Sequence, residues 1–112
     1  MEAGKDTTNK RFERIDVARI IMMSRSIHRV DVSLRFKKEF NGLPRRIQEL
    51  VRKKDALFRT NAFHPSLDTH QLSGKLHGDW SYSVNKQYRV HFYFIDDHSV
   101  MYVSIGTHEI YK

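Results

Sequence analysis

The residues best suited to chemistry in this sequence lie on one segment near its end. From Tyr88 to Ile95, side chains alternate in a way that predicts a β-strand. Arg89, His91 and Tyr93 then share one face, because successive side chains of a strand point to opposite faces. A guanidinium fixed on a strand can hold a phosphate and stabilise the charge that develops on it. The spacing leaves a plainer alternative open, in which Arg89 is a solvated or salt-bridged surface residue.

Seven histidines supply groups that exchange protons near neutral pH. His64, His70 and His77 fall in a segment with glycine and proline turn signals, and His108 follows the last strand-like run. A nuclease that uses no metal needs such a base and acid, although each histidine taken singly is more often a surface residue. The spacings match no common metal-ligand motif and no phosphate-binding glycine loop. We therefore expect neither a metal nor another cofactor.

The chain is strongly basic, with 20 Lys and Arg against 13 Asp and Glu and a formal net charge of +7. Such a field attracts a polyanion, and nucleic acid and an acidic protein both satisfy it. Nine basic and three acidic residues lie between Arg35 and Arg59. This strip is either a contact surface for a phosphate backbone or the solvated side of an amphipathic helix.

Two absences narrow the function classes. With no cysteine in the sequence, disulfides, a thiol nucleophile and cysteine-ligated zinc are excluded. No uninterrupted apolar run exceeds four residues, as at residues 20–23, whereas a membrane span needs roughly 18. We therefore expect no membrane partner and a cytoplasmic location.

Periodicity predicts the elements that must position these groups. Residues 12–22 have helical spacing after a polar start, although Met22 or Met23 is an alternative native start. Residues 30–36 alternate as a half-buried strand, with a short helical turn over 36–40, and residues 43–58 have the pattern of a helix. A loop with short strand pieces is expected over 61–79. Strands follow over 80–84, 88–95 and 99–105, with a hairpin at 96–98.

The order of these elements predicts an α+β fold, with N-terminal helices packed on one face of a small, mainly antiparallel twisted sheet. At 112 residues the chain has material for one hydrophobic core. We expect residues 1–27 to be an N-terminal extension, helical or flexible, and residues 28–112 to be the domain.

The segment from Phe63 to Lys112 resembles the C-terminal half of the RelE/YafQ-type toxins, within the RelE/ParE toxin–antitoxin superfamily. The most specific pieces are HQLSG at 70–74, YRV at 88–90 and GTH at 106–108. The similarity extends back through the helix LPRRIQELVRKKDALF to the first strand, so it covers residues 28–112. It implies the RelE-like microbial ribonuclease fold.

The resemblance also implies an activity. Active members are metal-independent endoribonucleases, or mRNA interferases, that inhibit translation by cutting messenger RNA, often on the ribosome. In them the ribose 2′-hydroxyl attacks the adjacent phosphate and leaves a 2′,3′-cyclic phosphate and a 5′-hydroxyl. The implied partners are messenger RNA, the ribosome and a cognate acidic antitoxin protein of a type II system.

The resemblance carries specific residues with it. His70 matches a loop histidine of the YafQ branch, and His108 matches its histidine after the last strand. Arg89 matches the phosphate-stabilising arginine of the RelE branch, and Tyr111 lies near a C-terminal aromatic position, which completes the expected catalytic set. The expected RNA-binding residues are Lys75, Lys86, His91, Arg45, Arg46 and Lys53. Departures from the YafQ branch occur at Ser83, Gln87 and Tyr88.

Two other functions stay open at this point. A ParE-type member of the same superfamily keeps the fold but inhibits DNA gyrase. A non-catalytic domain binds only an antitoxin or nucleic acid. The histidines favour the nuclease over the gyrase inhibitor.

Overall fold

The computed structural model describes residues 24–73 and 78–107. Two helices and five strands follow one another there: β1 (Arg29–Val32), α1 (Leu34–Asn41), α2 (Arg45–Thr60), β2 (His70–Gln71), β3 (Trp80–Ser83), β4 (Tyr88–Asp96) and β5 (Ser99–Thr107). A 3₁₀ turn, Pro65–Leu67, lies between α2 and β2. The α+β class predicted from the sequence is confirmed.

The predicted strand over residues 30–36 is wrong beyond Val32, because Ser33 begins a helix there. The Ser33 hydroxyl accepts a hydrogen bond from the backbone N–H of Phe36 at 2.9 Å and donates one to the carbonyl of Val103 at 2.7 Å. Such an N-cap satisfies an amide that the first helical turn leaves without a partner. Leu34, an apolar residue of the predicted alternation over 30–36, is 75% exposed.

The sheet has the order β1-β5-β4-β3-β2. Strands β3, β4 and β5 form the predicted antiparallel meander, and β2 adds to β3 in antiparallel fashion. Strand β1 pairs with β5 in parallel, and the chain between these two neighbours contains both helices and strands β2 to β4. The expectation of a mainly antiparallel sheet is confirmed.

Both helices cover the same face of the sheet, around Phe58 of α2. Its ring stacks on Tyr82 at 4.6 Å between centroids and meets Phe92 edge-on at 4.9 Å. Phe36 of α1 packs against Tyr102 on the same face at 5.2 Å. Full burial of one such aromatic side chain contributes about 1.5–3 kcal/mol. The opposite face is therefore left to the polar residues of β3, β4 and β5.

The packed part of the chain includes residues ahead of β1. Ile27 is 3% exposed, and its N–H donates to the carbonyl of Arg59 at 2.8 Å. The guanidinium of Arg25 lies over the ring of Phe94 at 4.6 Å. The domain boundary expected after residue 27 stays a prediction, and the helix predicted over 12–22 lies outside the described residues. Within the ranges that are described, no helix is long and apolar enough to cross a membrane.

Candidate active site

The loop between α2 and β2 is fixed to the domain at several points. Leu67 is fully buried in the core. The hydroxyl of Thr69 donates to the carbonyl of Ala62 at 2.6 Å. The His64 Nδ1 accepts from the backbone N–H of Ser66 at 3.1 Å and so caps the 3₁₀ turn. Residues that follow this turn are therefore held in defined positions.

His70 is oriented by a backbone group of the same loop. Its Nδ1 lies 2.8 Å from the carbonyl oxygen of Asp68. A carbonyl oxygen can only accept, so Nδ1 carries the hydrogen and the neutral ring presents its lone pair at Nε2. The side chain is exposed on β2, beside Ser81 of β3. His70 can therefore take a proton from a bound molecule through Nε2.

The guanidinium of Arg89 on β4 lies against two side chains, one on β3 and one on the loop before β2. Its Nη1 donates to the hydroxyl of Ser83, its partner across β3, at 3.2 Å. The same Nη1 lies 3.9 Å from Oδ2 of Asp68. The Arg89 side chain is 19% exposed, whereas that of Asp68 is 70% exposed. The guanidinium is thus partly desolvated but open to the surface, which strengthens its interaction with an anion.

Arg89 lines an open cleft of about 420 Å³ between α2, the loop and the β3–β4 turn. Within residues 24–73 and 78–107, the charged residues that line it are Lys54, Lys86, Arg89 and one acid, Asp68, a balance of three positive charges to one negative. Asn85 fixes the turn, since its Oδ1 accepts from the backbone N–H of Tyr88 at 2.7 Å. Clefts lined by one sign of charge attract the opposite charge, so this cleft favours a phosphate.

Only some of the expected site residues lie at this cleft. Arg89 and Lys86 line the cleft, whereas His70 does not line it and bonds the backbone carbonyl of a lining residue, Asp68. Three expected RNA contacts on α2 are exposed without lining the cleft: Arg45, Arg46 and Lys53. Three further expected residues lie outside the described ranges: Lys75, His108 and Tyr111. No three His, Asp or Glu side chains among the described residues are placed to share a metal, and the expected absence of a metal stays a prediction.

His91, one of the expected RNA-binding residues, is buried in the sheet. It is 8% exposed, and its Nε2 lies 2.6 Å from Oδ2 of Asp79. In register beside it stand Ser81 of β3 and Ser104 of β5, both almost fully buried. Neither hydroxyl has a hydrogen-bond partner in the described part of the chain. His91 thus belongs to a buried polar row that runs across the strands next to the cleft.

Sequence reasoning missed three residues of this site: Asp68, Lys54 and Ser83. The residue type of Asp68 was a weak local signal, since aspartate is enriched among the few non-glycine residues with positive φ. Lys54 carried no signal that separated it from the other basic residues of α2. Ser83 was noted only as a departure from the YafQ branch. The pairing of β3 with β4 is what brings Ser83 to Arg89.

No protein-family model matches the sequence, and no curated protein matches it. Solved structures match in fold. The RelBE2 toxin–antitoxin complex of Mycobacterium tuberculosis aligns with a TM-score of 0.63 and 18% identity over 73% of this chain and 92% of the other. YafQ from Escherichia coli BL21(DE3) gives 0.61 and 15% over 72% and 93%. The YoeB/ParE toxin of Agrobacterium tumefaciens gives 0.61 and 13% over 71% and 98%.

These likenesses identify the fold. All three matched chains are covered almost completely, at 92% or more, so the similarity takes in their whole domain. The present chain has the fold of the RelE/YafQ-type toxin superfamily, as its motifs predicted. The fold alone does not identify the function, because one fold supports several activities.

Proposed function

We propose that this chain, folded like the RelE/YafQ-type toxins, is the toxin of a type II toxin–antitoxin system and acts in the cytoplasm. Its activity is metal-independent endoribonucleolytic cleavage of messenger RNA on the ribosome, which inhibits translation. The observation that carries the proposal is the pair of Arg89 and His70. One is a partly buried guanidinium in a basic cleft, and the other is an exposed histidine whose Nδ1 bonds the Asp68 carbonyl, which leaves Nε2 to accept a proton.

The reaction uses the nucleophile of the substrate itself. The ribose 2′-hydroxyl gives its proton to Nε2 of His70 while its oxygen forms a bond to the adjacent phosphorus. The bond from phosphorus to the 5′-oxygen of the next nucleotide breaks, and that oxygen takes a proton from an acid. The products are a 2′,3′-cyclic phosphate and a 5′-hydroxyl. Arg89 donates hydrogen bonds to the phosphate oxygens, whose negative charge grows in the transition state.

Other residues complete the proposed site. Lys54 and Lys86 lie on the two sides of the cleft and bind the phosphates that flank the scissile one. By the family resemblance, His108 is the proposed acid for the leaving oxygen and Tyr111 the proposed stacking partner of a base. In its protonated form, the imidazole of His108 would give the leaving 5′-oxygen its proton, which balances the proton that His70 takes from the 2′-hydroxyl.

A cognate antitoxin is the proposed protein partner. The net charge of +7 favours an acidic chain, and one of the matched structures is a toxin–antitoxin complex. Gel filtration of this chain with the product of a neighbouring open reading frame tests the partnership. We expect one shared peak at low salt and high salt, because a stable complex also buries apolar surface.

The cleavage proposal is tested with purified protein, translating ribosomes and mapping of the new 5′ ends on the messenger. The wild-type protein should cut, Arg89→Ala should cut about 100- to 1,000-fold more slowly, and His70→Ala about 100- to 10,000-fold more slowly. A chelator that binds transition metals but spares the Mg²⁺ that ribosomes need should leave the wild-type rate unchanged.

Two variants serve as matched controls. Arg29→Ala removes an exposed arginine that pairs with Asp31 at the far edge of the sheet. His98→Ala removes a histidine whose Nδ1 also bonds a backbone carbonyl, that of Ser26 at 2.8 Å. Both should cut like the wild type. A wild-type protein that made no cuts would refute the proposal, and inhibition of gyrase supercoiling by the same protein would establish the ParE-type alternative.

A further inference from the structure

Asp68 contacts both of the proposed catalytic residues, through different parts of the same residue. Its backbone carbonyl accepts from Nδ1 of His70 at 2.8 Å. Its side-chain Oδ2 lies 3.9 Å from Nη1 of Arg89. Among the described residues it is also the only acidic side chain that lines the cleft. One residue thus links the proposed proton acceptor with the proposed phosphate ligand.

The backbone of Asp68 is in an unusual conformation that its neighbours enforce. Its φ is 49° and its ψ is 45°, and within the described ranges no other residue except glycine has a positive φ. L-residues adopt this left-handed conformation with difficulty, and aspartate does so more readily than most. Leu67 before it is buried in the core, and Thr69 after it is bonded to Ala62. The carbonyl that meets His70 is therefore fixed from both sides.

The carboxylate of Asp68 stands where it competes with a phosphate. Arg89 faces it, and Lys54 and Lys86 line the same cleft. At 3.9 Å, and with the Asp68 side chain 70% exposed, the pair with Arg89 is long and solvated. Such a contact is weak enough for an incoming anion to replace. It still keeps an acceptor close to the guanidinium when the cleft is empty.

We propose that Asp68 is a positioning residue with two separable roles, an inference that rests on the proposed ribonuclease function. Its carbonyl selects the form of His70 that accepts a proton at Nε2. Its carboxylate holds Arg89 until an RNA phosphate replaces it. The proton of the 2′-hydroxyl goes to Nε2 of His70, and no bond to Asp68 forms or breaks.

Asp68→Asn tests the carboxylate. Asparagine keeps the shape of the side chain, tolerates positive φ and retains the backbone carbonyl, but it carries no charge. The probe is a single-stranded RNA with 2′-O-methyl riboses, which the enzyme cannot cleave. We expect the variant to bind it about two- to five-fold more tightly, the range given by a weak exposed ion pair. The kcat for messenger on translating ribosomes should stay within about two-fold of the wild type, so the effect falls on KM.

Asp31→Asn is the matched control for this variant. It removes the same charge from another aspartate that pairs with an arginine, Arg29, on the far edge strand β1. The overall charge of the two variants is equal. A gain in RNA affinity that both variants shared would therefore be a net-charge effect and would overturn the role of the Asp68 carboxylate.

Asp68→Gly and Asp68→Val test the backbone. Glycine adopts positive φ freely, whereas a β-branched residue strongly resists it. Nitrogen-15 NMR of the imidazole reports which ring nitrogen of His70 carries the hydrogen. We expect Nδ1–H in the wild type and in the Gly and Asn variants. In Asp68→Val we expect that preference to be lost and kcat to fall, because a smaller fraction of the molecules then holds the Nε2 lone pair that accepts the proton.

Two further results would overturn the proposal. If Asp68→Asn lowered kcat more than about 100-fold, Asp68 itself would take the proton, a change typical of loss of a general base. If Asp68→Val kept the Nδ1–H form while folded, the carbonyl would not select it. The NMR and binding measurements need no cleavage. A wild-type protein that bound this RNA as expected but did not cut messenger on translating ribosomes would refute the ribonuclease and still leave Asp68 tested.

Discussion

The carboxylate of Asp79 lies 2.6 Å from Nε2 of His91, with Asp79 just ahead of β3 and His91 in the middle of β4. The imidazole is almost wholly buried, whereas the Asp79 side chain is 31% exposed. A carboxylate oxygen accepts, so Nε2 carries the hydrogen of this bond. The pair ties the end of the loop that precedes β3 to the centre of the sheet.

Loss of the Asp79 carboxylate should destabilise the protein. Asp79→Ala leaves a buried N–H without its acceptor, and we expect the free energy of unfolding to fall by about 1.5–3 kcal/mol. Asp79→Asn keeps an amide oxygen as acceptor and should lose less. Urea denaturation measures both. Asp97→Ala, in the exposed β4–β5 turn, is the control and should change stability by under about 0.5 kcal/mol. Equal losses at the two positions would contradict the prediction.

Removal of the buried serine hydroxyls should have the opposite effect. Ser81 and Ser104 bury hydroxyls that have no partner among residues 24–73 and 78–107, and a buried polar group without a hydrogen bond destabilises the fold. Ser81→Ala or Ser104→Ala should raise the free energy of unfolding by up to about 1 kcal/mol. Ser33→Ala should lower it by about 1 kcal/mol, because that hydroxyl caps α1. A loss of stability in all three variants would show that the two sheet hydroxyls are hydrogen-bonded in solution.

Two core tyrosines should make the fold sensitive to alkaline pH. The Tyr82 and Tyr102 hydroxyls lie 2.9 Å apart, and that of Tyr102 donates to Asp55 at 2.7 Å. Burial raises the pKa of Tyr82 above its ordinary value of 10.0, and burial together with the charges of Tyr82 and Asp55 raises the pKa of Tyr102. Because the folded pKa is the higher one, the stabilisation is complete below about pH 10 and is lost as the pH rises further.

The loss should amount to about 1.4 kcal/mol per pH unit for each tyrosine once the unfolded chain ionises. Urea denaturation at a series of pH values above about 10 measures this slope. Tyr82→Phe should reduce the slope by the share of one tyrosine. An unchanged slope in that variant would mean that Tyr82 ionises within the fold.

Lys54 should contribute more to RNA binding than the other basic residues of α2. It lines the cleft, whereas Arg45 stands nine residues earlier, or about two and a half turns, and so points to the opposite side of the helix. We expect Lys54→Ala to reduce the slope of log affinity against log salt by about 0.7, the value for one phosphate of a single strand. Arg35→Ala, on α1 and paired with Glu39, is the control and should leave the slope unchanged. Equal slopes for both variants would place the RNA outside this cleft. The same salt dependence measured for Arg45→Ala tests whether the bound RNA also reaches the opposite side of α2, where Arg45 was expected to contact it.

Much of the fold was predictable from residues close in sequence. The alternation from Tyr88 to Ile95 predicted β4, which the structure extends by one residue to Asp96. The helical spacing of 43–58 predicted α2, observed two residues later as Arg45–Thr60. The prediction was wrong where a single side chain overrides the pattern. Ser33 caps a helix in the middle of the alternation, and the hydrophobic period carries no trace of that bond.

By itself the sequence determined the basic charge and predicted the strand that carries Arg89. The family motifs in it also marked His70 as a candidate catalytic residue. These follow from composition and from local periodicity, which depend only on neighbouring residues. Only the tertiary structure decided that Asp68 meets Arg89, that Lys54 rather than Arg45 faces the cleft, and that His91 is buried against Asp79. Those contacts join segments distant in sequence, and the pairing of strands and the packing of α2 set their distances. The chemical roles of Arg89 and His70 could therefore be predicted from nearby sequence. Their connection through Asp68 depends on the tertiary fold.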